Sequence, residues 1–435
     1  MQLFGREPTF RRNNPRSNLY RILVWILLSV LGLVIVRSLN TGKIRPLFLP
    51  TPTPTRTSNS YSLEGETHFM AGDLDKAIAA YQLATESEPD NAQLWAELAR
   101  IQTYSSNLLT TDAEKQERLQ SALTSITRAT ELAPEDSTVR AIHSFVLDWN
   151  ASLAGAQASA VLSQAEQEAV YAIQLDPANT LALAYYAEVL VDQQKWLQAQ
   201  QYASQAAKQN PNLMDVRRIN AYVLESLGDY NAAITEYQAA VSINPNLTFL
   251  YLSIGRIYRH LELYDNALEY FAKAANINEQ LGVKDPIPYL AISNTYVQQG
   301  EFFIAARNVL KALRINPSSP DVYAQLGLVY YKARNYEGSI PAFECGIQGC
   351  SAEQSCEVRE CDPTVDPAVV VEGMPLSDNT VVYYFSYGSV LAGLHEEGDN
   401  YCVRAMDILS LVKAGFSGDP TVMGIVTAGE EICGN

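Results

Sequence analysis

A helix-turn-helix pattern recurs along this chain from Leu63 to Ser351, and its clearest copies lie 34 residues apart. The dipeptides Asn210-Pro211 and Asn244-Pro245 show this spacing directly. Each proline ends a helical run, because proline lacks a backbone N–H and restricts the residue before it. Helical units of this period bury their apolar surface only by stacking on their neighbours. The pattern therefore predicts an array of helix pairs, and it disfavours a catalytic function.

Several positions recur together in each copy. The first helix carries a small residue and a tyrosine, and the second carries alanines and an aromatic residue. The clearest copy consists of Tyr251, Gly255, Tyr258, Tyr264, Ala267, Phe271 and Ala274. This set resembles the tetratricopeptide repeat family, whose 34-residue helix pairs share these features. The resemblance implies an all-α protein that binds other proteins: a right-handed α-solenoid of about eight to nine helix-turn-helix repeats over residues 61–350, preceded by one transmembrane helix.

The repeats are interrupted at three places and end in a different kind of segment. Longer spacings between the closing prolines place insertions near Ser105–Lys115, Ala151–Leu162 and Gln280–Lys284. Residues 351–377 form a Cys/Pro-rich insertion, and residues 378–435 are expected to be a modified terminal repeat with a capping helix. Asp378-Asn379 is expected to cap the first of these last helices. A solenoid needs such an end, because its final repeat otherwise exposes an apolar face.

The N-terminal region is predicted to anchor the protein in a membrane. Residues 1–19 are a basic tail, residues 20–39 a transmembrane helix and residues 40–60 a Pro/Thr-rich linker that favours an extended conformation. A cleaved signal peptide is the alternative, although the sequence Arg37-Ser38-Leu39-Asn40 lacks a small-x-small cleavage pattern. Five arginines, Arg6, Arg11, Arg12, Arg16 and Arg21, precede the apolar stretch Ile22 to Val36 of this helix, whereas Arg37, Lys43 and Arg45 follow it closely. The positive-inside rule then keeps the N-terminus inside a cytoplasmic membrane and exports the repeats.

The net charge of the protein disfavours two kinds of partner. The formal net charge is −17, and removing residues 1–21, with five Arg and one Glu (+4), leaves −21 for the remainder. Such acidity argues against binding to nucleic acid or to an anionic membrane surface.

All six cysteines lie in the last part of the sequence, at Cys345, Cys350, Cys356, Cys361, Cys402 and Cys433. An even number of cysteines in an exported region indicates disulfides. Zinc is the alternative, but the intervals are longer than the usual ligand spacing, so no metal site is predicted. Cys402 should begin one helix (Tyr401–Ala414) and Cys433 should end the next (Thr421–Ile432), which predicts a Cys402–Cys433 bridge. The other four cysteines have three pairings, which remain open.

The sequence contains no motif for catalysis or for a cofactor. The four histidines are far apart, and no phosphate loop, nucleophile elbow or metalloprotease helix is present. We therefore expect neither an enzymatic activity nor a cofactor.

The family resemblance also implies a binding groove, since the first helix of each family repeat lines the concave face. The matching positions form a basic and amide-rich strip: Arg218 and Tyr222, then Arg256, Arg259 and His260, then Asn294 and Gln298, and finally Tyr331 and Lys332. Such a strip favours an acidic peptide or the free C-terminus of a partner. Ordinary solvated residues are the alternative. A strict carboxylate clamp is not expected, because Leu290 stands where a clamp lysine would lie.

Two functions from different classes follow from these features. The favoured hypothesis is a membrane-anchored, extracytoplasmic scaffold, assembly factor or chaperone-like adaptor that binds a protein or peptide in its groove. The alternative is an envelope enzyme or glycan-binding protein with its site in the Cys-rich C-terminal region. A cytoplasmic solenoid with a zinc knot is a third possibility.

Overall fold

The computed structural model describes residues 18–40, 57–362 and 364–434. These residues form 21 α-helices, two 3-10 turns and one pair of two-residue strands, which confirms the all-α solenoid. Residues 1–17 of the predicted basic tail and residues 41–56 of the predicted linker lie outside the described residues. The helices up to the first insertion are α1 (Leu19–Asn40), α2 (Ser58–Met70), α3 (Leu74–Ser87) and α4 (Ala92–Ser105).

The remaining repeat helices follow in order. They are α5 (Asp112–Leu132), α6 (Ser137–Ala151), α7 (Ala158–Leu175), α8 (Thr180–Asp192), α9 (Trp196–Gln209), α10 (Met214–Ser226), α11 (Tyr230–Ile243), α12 (Thr248–His260), α13 (Tyr264–Leu281), α14 (Ile287–Gln299), α15 (Phe302–Ile315), α16 (Pro320–Lys332) and α17 (Tyr336–Ile347). The C-terminal elements are β1 (Gly349–Cys350), α18 (Ala352–Arg359), β2 (Val371–Glu372), α19 (Val381–Gly393), α20 (Tyr401–Phe416) and α21 (Pro420–Gly434).

Helix α1 belongs to a different unit from the helices that follow Thr57. Its segment Leu19–Ser38 has a mean hydropathy of 2.5. By length and composition this segment is able to cross a membrane, and a signal sequence meets the same criterion.

From α2 onward the helices pack as consecutive pairs. Eight pairs run from α2/α3 to α16/α17, and α19/α20 form a ninth pair that α21 covers. The first helices of neighbouring pairs also contact one another, as α6 does with α4 and α8. These first helices therefore form the inner layer, where groove residues are expected.

The small residues of the repeat pattern are explained by close packing inside a pair. Gly327 on α16 lies against the ring of Phe343 on α17, and a Cβ at this position would come within 2.7 Å of the ring. Gly255 on α12 faces Phe271 on α13 in the same way. Both phenylalanines are fully buried, so each pair is joined by an aromatic side chain that only a glycine admits.

The helix boundaries follow from local capping chemistry. Asp73, Asp136 and Asp229 each accept backbone N–H groups at the start of a helix, which satisfies donors that lack a partner within the helix. The first insertion ends in a capping box, in which Thr111 and Glu114 bond reciprocally at the start of α5. These caps end each turn and fix where the next helix begins.

One predicted cap is wrong. Helix α19 begins after Thr380, and Thr380 is its N-cap residue, so Asp378-Asn379 precedes the cap. The side chain of Asn379 donates instead to Asp112 Oδ2 at 2.7 Å. The amide is therefore used in a contact between the terminal repeat and the start of α5, which the local sequence does not reveal.

Several contacts join parts of the solenoid that are far apart in sequence. Thr110 and Ser319 share a hydrogen bond of 2.6 Å between their hydroxyl oxygens. The Asn246 amide donates to the Met70 carbonyl at 3.2 Å. Tyr104 stacks on Phe249 with ring centroids 5.3 Å apart. The first insertion and α4 therefore reach repeats well beyond their own neighbours.

Candidate functional site

The predicted groove residues lie mainly on three first helices, α10, α12 and α14, and five of them line two neighbouring cavities. The first, which we call the acidic cavity, has a volume of about 450 Å³. Its lining residues are Asn107, Asp148, Trp149, Ser152, Glu188, Asp192, Arg218, Tyr222, Tyr237, Phe249, Ser253 and Arg256. The second, which we call the arginine cavity, has a volume of about 500 Å³. Its lining residues are Leu109, Thr110, Asp112, Lys115, Leu252, Arg256, Arg259, Phe271, Ile287, Leu290, Ala291, Asn294, Asp321, Gln325 and Asn379.

The sequence predicts that Arg218 contacts a partner, but the structure places it in a buried ion pair. Only 6% of the residue is exposed. Its Nη1 and Nη2 atoms donate to Oε1 and Oε2 of Glu188 at 2.7 and 2.6 Å. Burial opposes the charged form, yet Glu188 holds the pKa of Arg218 well above its ordinary value. The guanidinium is therefore already occupied by a carboxylate of its own chain.

A second buried charge cluster lies beside this pair. Asp215 accepts hydrogen bonds from Tyr104 and, at 2.7 Å, from Tyr185. Arg100 approaches the same carboxylate at 3.2 Å. Burial would raise the pKa of Asp215, but Arg100 and the tyrosine hydroxyls keep it below its ordinary value. The inner layer of the N-terminal repeats is thus filled by its own charges and aromatic rings.

Tyr222 faces the acidic cavity and donates to Asp192 Oδ1 at 2.6 Å. Burial, opposed by this hydrogen bond, raises the pKa of Asp192 to about 6. Arg256 has a more open position, with 55% of its side chain exposed, and lies 3.6 Å from Glu225. Arg256 lines both cavities, so it marks the boundary between them.

Arg259 is the most informative residue of the arginine cavity. Its guanidinium lies over the Phe271 ring, 5.6 Å from the centroid, and donates to the Ala291 carbonyl at 3.4 Å. It forms no ion pair with any residue in the described ranges. Burial, together with the neighbouring Arg256, lowers the pKa of Arg259. A half-buried cation without a carboxylate in a protein of net charge −17 is a site suited to an anion.

The other predicted groove residues differ in their surroundings. Asn294 is exposed and lines the arginine cavity. His260 hydrogen-bonds through Nε2 to the Tyr230 hydroxyl at 2.9 Å. Gln298 is exposed and lines neither of the two cavities. The structure therefore brings together Arg256, Arg259 and Asn294.

Sequence reasoning missed the residues that the first insertion contributes. Thr110, Asp112 and Lys115 line the arginine cavity together with Asp321 and Gln325 from α16. The irregular spacing of the closing prolines locates this insertion, but spacing carries no information about the distant helices that it contacts.

A third cavity adjoins the Cys-rich insertion and has a volume of about 480 Å³. It lies between the start of α5, the start of α16 and the segment that leads into α19. Its lining includes Asp112, Asp321 and Glu372 but no histidine or cysteine.

The cysteines form three bridges: Cys345–Cys350, Cys356–Cys361 and Cys402–Cys433. The last joins the start of α20 to the end of α21, with Cα atoms 5.3 Å apart, and it is the pair that the helix ends predict. The two short bridges tie α17 to β1 and close the end of α18. Among the described residues, no group of three or more His, Cys, Asp or Glu side chains is arranged to hold a metal ion.

Comparison with known proteins finds repeat families that match parts of the chain. Family models described as tetratricopeptide or TPR repeats match residues 63–103 and 186–247, 250–281, and 294–333. A human protein named tetratricopeptide repeat protein 6 is 27% identical over 124 residues, which are 28% of this chain and 24% of that protein. The present sequence thus spans about a quarter of the length of this curated relative.

Three solved structures are similar to this chain at low sequence identity. YrrB, described as a TPR protein with an unusual peptide-binding site, has a TM-score of 0.31 and 21% identity over 45% of this chain and 95% of its own. TTC0263, a TPR protein of Thermus thermophilus, has a TM-score of 0.38 and 17% identity over 46% of this chain and 98% of its own. The APC/C hetero-tetramer Cut9-Hcn1 has a TM-score of 0.45 and 13% identity over 87% of this chain and 78% of its own.

Proposed function

We propose that this tetratricopeptide-repeat protein is an interaction scaffold at the outer face of a cytoplasmic membrane, and that it binds an acidic segment of a partner protein at Arg256 and Arg259. Proteins with such repeats mediate protein–protein interaction, which supports the general class. Arg259 carries the specific proposal, because its half-buried guanidinium has no carboxylate partner among the described residues. A carboxylate from a partner supplies the missing charge and accepts paired hydrogen bonds from a guanidinium.

The surroundings of Arg259 support binding of an extended acidic peptide. Lys115 and Arg256 add positive charge to the same cavity, and Asn294 offers an exposed amide for a peptide backbone. Asp112 and Asp321 also line the cavity. Asp112 accepts from Asn379, and burial raises the pKa of Asp321. Three cationic side chains, Arg256, Arg259 and Lys115, thus outnumber the two carboxylates that line the cavity.

The exported location is supported by the helix α1 and by the three disulfides. Disulfides persist in oxidising compartments and are rare in the cytosol. Protease treatment of intact spheroplasts tests this topology, since it should digest the repeats while a cytoplasmic marker stays intact. Protection of the repeats would place them in the cytoplasm and would overturn the exported location.

The test of the binding site is cross-linking capture from native membranes. The intact protein is compared with an Arg256→Ala/Arg259→Ala variant, and Arg307→Ala on α15 serves as a matched control because Arg307 is exposed on a second helix. We expect a defined partner to be recovered with the intact protein and with the control, and to be lost with the double variant. Recovery should also fall as salt is raised, because the contact is ionic.

Equal recovery by all three proteins would remove the binding site from the arginine cavity. A search at the third cavity, beside the Cys-rich insertion, would then follow, and the enzyme or glycan-binding hypothesis would gain weight. A purified acidic partner peptide that binds the double variant as tightly as the intact protein would contradict the proposal directly.

A further inference from the structure

Asp148 on α6 is a buried carboxylate without a partner. Only 2% of the residue is exposed, and neither Oδ1 nor Oδ2 accepts a hydrogen bond from any residue that the structure describes. The side chain lines the acidic cavity, which holds about 450 Å³. Burial of a carboxylate without hydrogen bonds costs several kcal/mol, so native structures generally supply such a group with a partner.

The charges that face Asp148 do not supply this partner. Glu188 and Asp192 are carboxylates that repel it, and Arg218, the nearest cation, is engaged by Glu188 in a bidentate pair. The Tyr222 hydroxyl is directed at Asp192. Burial, reinforced by Asp192 and Glu188, raises the pKa of Asp148 well above its ordinary value. Arg256 also lines the cavity, but it lies 3.6 Å from Glu225. Both cations of the cavity therefore already have a carboxylate partner, whereas Asp148 has none in the described part of the chain.

The walls of the acidic cavity favour an organic cation over a metal ion. Trp149, Tyr222, Tyr237 and Phe249 line it beside the carboxylates. Aromatic faces attract ammonium groups, whereas a metal site needs converging oxygen or nitrogen ligands. No group of three or more His, Cys, Asp or Glu side chains in the described ranges is arranged to hold a metal. The volume is within the range of small-molecule sites, which is about 300–1,000 Å³.

We propose that the acidic cavity binds a primary ammonium group, which donates hydrogen bonds to Asp148 and Asp192 while its methylene groups lie against the aromatic walls. A small alkyl amine and the side chain of a partner's lysine share this chemistry. A quaternary ammonium has no N–H to donate, so it binds more weakly. This inference is independent of the acidic partner proposed at Arg259.

The test uses the full-length protein in nanodiscs and measures binding by isothermal titration calorimetry. The probes are 1,5-diaminopentane, the tripeptide acetyl-Gly-Lys-Gly-amide, tetramethylammonium and the uncharged isostere 1,5-pentanediol. We expect saturable binding of at least one of the two primary amines and none of the diol. Binding of the diamine alone indicates a small amine as the natural ligand, and tight binding of the tripeptide indicates a partner's lysine.

The deciding variant is Asp148→Asn, which keeps the shape of the side chain but cannot ionise when a cation binds. Loss of a charge-assisted hydrogen bond should weaken amine binding by about tenfold to a hundredfold. Glu135→Gln is the matched control, because Glu135 is exposed outside the cavity. The affinity of this control variant for the amines should equal that of the intact protein. Asp192→Asn provides a second variant if Asp148→Asn does not fold, and it should also weaken binding.

Three results would overturn the proposal. The first is absence of saturable binding of both primary amines by the intact protein. The second is binding of pentanediol as tightly as the diamine. The third is unchanged amine affinity in a folded Asp148→Asn or Asp192→Asn protein. None of these results bears on Arg256 and Arg259, so failure here is distinct from failure of the proposed protein-binding function.

Discussion

Replacement of Arg218 by Met tests whether this arginine belongs to the fold or to a ligand site. Methionine keeps an unbranched apolar stem of similar length but removes the guanidinium. Glu188 then loses the two hydrogen bonds of 2.7 and 2.6 Å and keeps only the bond from Trp149 Nε1 at 3.2 Å. The carboxylate is buried, so the loss leaves an uncompensated charge, and removing one partner of such a pair costs about 3–5 kcal/mol.

The double variant Glu188→Gln/Arg218→Met isolates the electrostatic part of this cost. Glutamine keeps a carbonyl that accepts from Trp149 and carries no charge. We expect the double variant to be more stable than Arg218→Met alone, because replacing both members of a buried ion pair is often close to neutral. Arg307→Met on the exposed face of α15 is the control for the loss of one arginine.

The measurements are urea unfolding followed by circular dichroism and hydrogen exchange of peptides from α8 and α10. Hydrogen exchange is needed because repeat arrays open locally, so one global transition does not report every helix. A loss below about 1 kcal/mol in Arg218→Met, with unchanged exchange in α8, would refute the reasoning. Arg218 would then be available to a partner, as the family resemblance implies.

Three further perturbations test other parts of the solenoid. Burial raises the pKa of Asp285 to about 7. The native state therefore keeps a proton on this carboxyl group that the unfolded state releases above about pH 4. The free energy of unfolding should fall by up to about 4 kcal/mol from pH 4 to 7. Asp285→Asn should abolish this fall in urea melts at pH 5 and 8, and an equal pH dependence of both proteins would contradict it. The Cys402–Cys433 bridge spans 31 residues, and its loss in Cys402→Ser should lower the free energy of unfolding by about 4 kcal/mol on a chain-entropy basis. Hydrogen exchange should then be faster in the last two helices. Unchanged protection of these helices from exchange would argue against a stabilising bridge. Gly327→Val should cost about 1–3 kcal/mol because the side chain overlaps Phe343, and an unchanged thermal midpoint would show that the pair adjusts.

The repeat architecture was predictable because its determinants are local. In a repeat, a glycine on the first helix leaves room for a phenylalanine ring on the second, as Gly255 does for Phe271. This pair recurs at a fixed spacing, so it can be recognised in the sequence. The bridge between Cys402 and Cys433 likewise follows from the ends of two successive helices, and the structure joins the same two residues. The remaining cysteine pairs could not be chosen, because they depend on where the segment after α17 folds back.

The candidate site was less predictable because its electrostatics depend on distant residues. The repeat pattern places Arg218 on an inner helix, but it does not reveal that Glu188, one repeat earlier, has the matching position. The roles of Asp148 and Lys115 depend on how α6 and the first insertion approach the later helices. Such proximity follows from the accumulated rotation of the repeats, which no single repeat encodes.

The contacts between remote repeats have a consequence for how the protein is made. In an open repeat array each unit depends only on its neighbours, so folding proceeds along the polypeptide as it emerges. Here Thr110 bonds to Ser319, and Asp112 bonds to Asn379, 267 residues later. The second repeat therefore cannot form all of its contacts until the C-terminal segment has been synthesised. Such long loops slow folding, so the protein stays accessible to chaperones and proteases until its last helices have been synthesised.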